Sequence, residues 1–215
     1  VFVVIIFLGP PGCGKGTQSA IISDALSLPA FSTSAALKEV AASDNVLGDQ
    51  LRSLMNSGQL VPSTLVNEIV AQVLSGDKYR DGCILDGYPR TIDQAEFLDL
   101  RLKGSEVLAI NFEISYDDLV VRITNRFVCD GCGAIYNKIL SPTKIEGKCD
   151  FCESNSFSFR DDDNIDILRK RWEVYVSQSV PLIEYYASRG ALMSIDATLE
   201  KQEVTNKLVE KLKKR

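Results

Sequence analysis

Apolar residues fall along this chain in two alternating rhythms. Short β-rich runs, Val1–Leu8, Cys83–Leu85, Val107–Phe112 and Ala191–Ile195, with a shorter one near Ala30–Ser32, read as strands. Between them Thr17–Leu28, Ser63–Leu74, Asp93–Leu102 and Asp117–Arg126 carry apolar residues at helical spacing, with Ser63 and Asp117 where N-caps belong. A long helical region from Asp162 is expected to break or kink at Pro181, and Glu200–Arg215 reads as a last amphipathic helix, basic at its C-terminal end as the helix dipole favours. Strands alternating with helices predict an α/β fold built on a parallel sheet. One stretch breaks the rhythm. From Phe127 to Phe159 the chain is rich in Gly, Cys, Ser and Lys, with only short strand-like pieces such as Ala134–Ile139, and it reads as a small inserted domain.

Composition narrows the chemistry. At 215 residues the chain can bury one sizeable core with room for insertions. A net charge of -5 and a pI near 4.9 argue against a surface that neutralises nucleic-acid or membrane phosphates, so any phosphate binding must be local. The longest apolar run, Val1–Leu8, falls far short of the roughly 20 residues a membrane helix needs and lacks a basic leader flank; the default expectation is a cytoplasmic protein. Histidine is absent, which removes imidazole as base, nucleophile or ligand. Cys129, Cys132, Cys149 and Cys152 form two CxxC pairs with the spacing of a zinc ribbon. Four thiolates would close the coordination shell around a structural Zn2+, replacing a core the insert is too small to build; a disulfide or redox pair is the competing reading.

Gly9-Pro10-Pro11-Gly12-Cys13-Gly14-Lys15-Gly16-Thr17 follows the first strand and opens a helix, the context of a phosphate-binding loop. Its glycines let backbone N–H groups face phosphate oxygens, the helix N-terminus adds partial positive charge, and Lys15 reaches the outer phosphates. Gly16 intervenes where the strict pattern has Ser or Thr directly after the lysine. Asp86 ends another apolar strand, at the edge where open α/β sheets bind ligands, and can hold magnesium through water.

The GKGTQ ending, Leu85-Asp86-Gly87-Tyr88-Pro89-Arg90-Thr91, Gln94 and Arg160-Asp161-Asp162-Asp163 resemble the nucleoside monophosphate kinases, and within them the adenylate kinases whose lid carries four cysteines. The resemblance covers nearly the whole chain. It implies a P-loop three-layer core (1–31, 62–125 and 164–215), an AMP-binding helical segment (32–61) and a zinc-binding lid (126–163). It implies the reaction ATP + AMP = 2 ADP with Mg2+ accompanying ATP, and a monomer whose partners are ATP, AMP and ADP rather than nucleic acid or membrane. By the same resemblance Gly12, Cys13, Gly14, Lys15, Gly16, Thr17, Arg122, Arg126, Ile135 and Tyr136 meet ATP, Arg122 near the adenine. Thr33, Lys38, Gln59, Leu60, Val61, Gly87, Tyr88, Pro89, Arg90, Gln94, Arg160 and Arg171 line the AMP site. Lys15, Asp86, Arg90, Arg126, Arg160 and Arg171 carry catalysis, which in phosphoryl transfer is chiefly positioning and charge neutralisation. Arg122 and Arg126 lie four apart on one expected helical face, and Asp162 and Asp163 are expected to orient the arginines.

Phe31-Ser32-Thr33-Ser34-Ala35-Ala36-Leu37-Lys38 departs from the family segment S-T-G-D-x-[LF]-R. Ser34 and Ala35 replace Gly and Asp, and Lys38 replaces an Arg, keeping charge but losing the two-pronged fork. Another monophosphate as acceptor, or a nucleotide-binding protein without turnover, are the alternatives this departure raises. A zinc-ribbon nucleic-acid module on an ATPase is a further one, disfavoured by the acidic pI.

Overall fold

The computed structural model describes residues 3–57, 59–160 and 163–213. The expected hinge acid Asp162, where the long helical region was to begin, lies outside them. At the centre is a five-stranded parallel sheet in the order β2 (Ala30–Ser32), β3 (Gly82–Asp86), β1 (Val3–Leu8), β4 (Glu106–Glu113), β8 (Leu192–Asp196). β1 is apolar along its length because both its faces are covered. Val4, Ile6 and Leu8 pack on one side with helices α2 (Thr33–Ala41), α3 (Val46–Ser57), α4 (Ser63–Leu74), α5 (Ile92–Arg101) and α8 (Pro181–Ala187). Ile5 and Phe7 pack on the other with α1 (Lys15–Leu26), α6 (Tyr116–Thr124) and α9 (Lys201–Lys213). The result is the three-layer core expected of the alternating pattern.

From β1 the chain runs by way of α1 to β2 on one side of the sheet, and β4 lies on the other, so the strand order reverses at the carboxyl end of β1. That reversal opens a crevice, the place where ligands of doubly wound sheets bind. Register brings the parts to it: Phe7 pairs with Asp86 and Asp86 with Ser32, so the loop after β1, the carboxylate ending β3 and the start of α2 share one sheet edge.

Between α6 and α7 (Ile165–Val174) the chain leaves the core and forms an antiparallel three-stranded sheet in the order β6 (Ile135–Asn137), β5 (Arg126–Cys129), β7 (Phe157–Ser158). Its interior is small: Cys129, Tyr136 and Cys149 with Phe127, Ala134 and Phe157.

Several boundaries differ from the sequence expectation for identifiable reasons. The cap of α6 is Ser115, whose hydroxyl accepts from Asp118 N at 3.1 Å, and Asp117 lies inside the first turn. Ser63 begins α4 behind Pro62 and does not cap it; its hydroxyl instead accepts from Gln94 Nε2 at 3.3 Å. α6 stops at Thr124, and Arg126 opens β5 opposite Asn137, so Arg122 and Arg126 do not share a helical face. The long C-terminal helix is interrupted before Pro181 by a π turn, Tyr175–Ser179; the proline then occupies the first turn of α8, where a missing N–H costs nothing.

Candidate active site

The loop after β1 turns through Gly12 (φ 86°) and Gly14 (φ 106°), conformations that side chains with a Cβ avoid, and delivers Lys15 to the first turn of α1. The Lys15 ammonium donates to Gly9 O at 2.7 Å and Pro10 O at 2.8 Å and lies 3.6 Å from Cys13 Sγ, folded over the loop it belongs to. Gly16 has a spatial reason to be glycine: a Cβ there would stand 3.3 Å from Asp86 Oδ2. The departure from the strict loop pattern thus makes room for the carboxylate ending β3.

Asp86 is desolvated, which raises its pKa, while the charges of Lys15 and Arg90 pull it back down. Arg90 is held from two sides, Nε donating to Gly87 O at 2.9 Å and Nη2 to Ser34 Oγ at 3.1 Å. Burial lowers its pKa, Asp86 raises it, and the charge of Arg171 lowers it further, so these charged side chains lie within reach of one another. Arg90 N donates to Gln94 Oε1 at 2.8 Å, and Ser179 Oγ, from the π turn, donates to Arg90 O at 2.9 Å. Tyr88 is fully buried, its hydroxyl donating to Asn67 Oδ1 at 2.6 Å, and so faces the core rather than the crevice. Thr33, at the start of α2, has a buried hydroxyl without a hydrogen-bond partner among the described residues.

Lys38 is exposed one turn further along α2. Gln59 is exposed, Leu60 half-buried and Val61 buried in the core layer of α2 to α5. Arg122 reaches back from α6, Nη1 donating to Cys13 O at 3.2 Å and Nη2 to Ala197 O, and so braces the phosphate-binding loop against the segment after β8. Arg126 forms a two-pronged ion pair with Asp163, Nε to Oδ2 at 2.7 Å and Nη2 to Oδ1. Arg160 is exposed just past β7, and its carbonyl accepts from the N–H of Asp163 at 3.0 Å. Ile135 is exposed on the small sheet, whereas Tyr136 beside it is buried in that sheet's interior.

The sulfurs of Cys129, Cys132, Cys149 and Cys152 lie within 4.8 Å of one another, and none is in a disulfide. The Cys129–Cys152 and Cys132–Cys149 distances, 3.5 and 3.6 Å, are too long for an S–S bond and close to the about 3.8 Å edge of a ZnS4 tetrahedron with 2.3 Å bonds. Tyr136 Oη lies 3.4 Å from Cys149 Sγ and accepts from Asp150 N at 2.8 Å, leaving its proton for the sulfur. This donor set fits a tetrahedral thiolate metal.

Sequence reasoning missed three contributors. Ser34 appears in it only as a departure from a pattern, Ser179 not at all, and Tyr136 only as a nucleotide contact and not as a neighbour of the cysteines. Only the first left a signal, a hydroxyl where the family has no side chain.

The family model for adenylate kinase matches residues 7–191. Among curated proteins, the adenylate kinase of Thermodesulfovibrio yellowstonii is 41% identical over 214 residues, 98% of this chain and 99% of that protein. That of Fervidobacterium nodosum is 43% identical over 203 residues, 93% of each. That of Rickettsia typhi is 35% identical over 211 residues, 98% of this chain and 99% of that protein. With a glycine-turned phosphate loop, an acid and arginine at the same crevice, and a cysteine-pinned insert, the chain belongs to the adenylate kinase family and is a phosphotransferase of the nucleoside monophosphate kinase type.

Proposed function

We propose that the crevice holds two nucleotides end to end, the ATP phosphates on the loop Gly9–Thr17 and AMP against α2 and the segment Gly87–Gln94. The chain catalyses the reversible exchange ATP + AMP = 2 ADP. The observation that carries this division is the shared sheet edge: Lys15, Asp86 and Arg90 meet there, electrostatically coupled, between the two flanking segments.

Transfer of a phosphoryl group asks for in-line placement and for charge to be met as it spreads over the moving oxygens. Lys15 exchanges its two loop carbonyls for the outer phosphates of ATP, a point charge for a point charge. Arg90, already oriented through Nε and Nη2, presents its remaining N–H groups to the acceptor phosphate. Arg171 adds charge from α7, and Arg126 and Arg160 complete the set when the small domain, residues 126–163, closes as a lid. Closure excludes water, which would otherwise accept the phosphoryl group. A magnesium ion bound with ATP neutralises phosphate charge, and the Asp86 carboxylate would hold it, directly or through water. Arg122 supports the loop from behind, and Thr33 offers its unpartnered hydroxyl to AMP. Gln94 accepts from Arg90 N through Oε1 and donates to Ser63 Oγ through Nε2, which fixes its amide and leaves one N–H and one lone pair to read an adenine edge.

The four sulfurs would hold zinc as a structural ion, with no coordination position left for substrate. No helix among the described residues is long and apolar enough to cross a membrane. We propose a monomer acting on free nucleotides.

The test is coupled-assay turnover with MgATP and each of AMP, GMP, CMP and UMP, zinc being quantified on the same sample. Turnover selective for AMP with about one zinc per chain is expected; selectivity for another monophosphate would reassign the acceptor. Lys15→Met should abolish turnover while leaving the melting temperature close to the parent, and near-normal turnover in that variant would refute the donor-site assignment.

A further inference from the structure

The segment Phe31–Lys38 contains a hydroxyl in contact with a guanidinium. Ser34 stands in the first turn of α2, and its Oγ accepts from Arg90 Nη2 at 3.1 Å. Arg90 makes only one other side-chain hydrogen bond among the described residues, from Nε to Gly87 O at 2.9 Å. Its fork is therefore aimed by two fixed acceptors, one on the segment after β3 and one on α2. A glycine, the family residue at position 34, would supply no such acceptor.

Lys38 lies four residues on, so it projects from the same face of α2 as Ser34, at the mouth of a groove shared with Ala41, Arg52 and Met55. An arginine at 38 would bring two parallel N–H donors to a phosphate; a lysine brings a point charge without directional preference. What is missing on this face is a directional donor. Ser34 has one to spare, because accepting from Arg90 leaves its own O–H free.

We propose that Ser34 is a positioning and specificity-determining residue of the acceptor site, compensating for lysine at position 38. Its oxygen fixes the Arg90 fork and its O–H donates to the acceptor's phosphate, so that Ser34, Lys38 and Arg90 together supply the directed hydrogen bonds and charge that two arginines would supply. This rests on the acceptor-site reading above. It makes residues 34 and 38 a coupled pair: serine with lysine, or glycine with arginine.

The experiment measures KM for AMP and for MgATP separately, AMP affinity by calorimetry, and melting temperature, for the parent, Ser34→Ala, Ser34→Thr, Ser34→Gly and Ser34→Gly/Lys38→Arg. Ser34→Ala and Ser34→Gly should each raise KM and Kd for AMP about ten-fold, as loss of hydrogen bonds to charged groups does, with KM for MgATP changing less than about two-fold. Ser34→Thr, which keeps the hydroxyl, should stay near the parent, and Lys38→Arg should recover most of the AMP affinity lost by Ser34→Gly. Unchanged AMP affinity in Ser34→Ala, an equal rise in both KM values, or no recovery in the double variant would each overturn the proposal. A parent that turns over nucleotides but binds no AMP would instead remove the acceptor reading beneath it.

Discussion

Asp86 sits where desolvation opposes its charge and two cations restore it, and the balance leaves its pKa raised. A raised folded-state pKa means that the folded protein keeps this proton longer than the unfolded chain does. The contribution of Asp86 to stability is therefore most favourable at low pH and declines as pH rises from the unfolded aspartate value, about 3.9, through the folded one. Asp86→Asn should raise the melting temperature of the nucleotide-free protein at pH 7 and cut turnover about a hundred-fold or more. Differential scanning calorimetry at pH 4 and pH 7 checks it, since the advantage of the variant should shrink at the lower pH. Tyr136 gives a second case. Its hydroxyl accepts from Asp150 N and faces the Cys149 sulfur, an outer hydrogen bond of the kind that steadies a metal ligand. Tyr136→Phe should weaken zinc binding about ten-fold in competition against a chromogenic chelator, and unchanged affinity would reduce the tyrosine to packing.

At the scale of elements, periodicity located every strand of the main sheet and most of its helices, while their ends were decided by contacts that periodicity does not contain. The helix pattern continues through Arg126, yet α6 ends at Thr124 because Arg126–Val128 pair with Ile135–Asn137 in a ladder assembled from residues that only the folded insert brings opposite. Pro181 is visible as a breaker, but the interruption lies in the π turn Tyr175–Ser179, whose extra residue brings Ser179 onto Arg90 O. The cysteine spacing was legible because a tetrahedral metal demands two tight knuckles whatever surrounds them. The inward turn of Tyr136 was not legible: in a three-residue strand either alternation is possible, and the packing of Phe127, Phe157 and the sulfurs against the ring selects one.

Across the whole molecule the two sheets have unequal means of support. The central sheet is buried on both faces by apolar layers, whereas the small sheet packs a handful of side chains around the cysteine cluster. Removing metal should therefore unfold the insert locally. Hydrogen exchange after chelation should accelerate in residues 126–160 while amides of β1, β3 and β4 keep their protection, and global loss of protection would show that the cores are one cooperative unit. The sequence by itself determined the fold class, the phosphate-binding loop, the four-cysteine cluster and the family, because each is a local pattern: alternation of periods, glycines at fixed intervals, cysteines in pairs. Tertiary structure alone decided that Gly16 clears space for Asp86, that Arg126 pairs with Asp163, and that Ser34 holds Arg90. Those are contacts between residues 37 to 70 positions apart, set by the parallel register of β1, β2 and β3 and by the closure of the insert, and no local pattern records them.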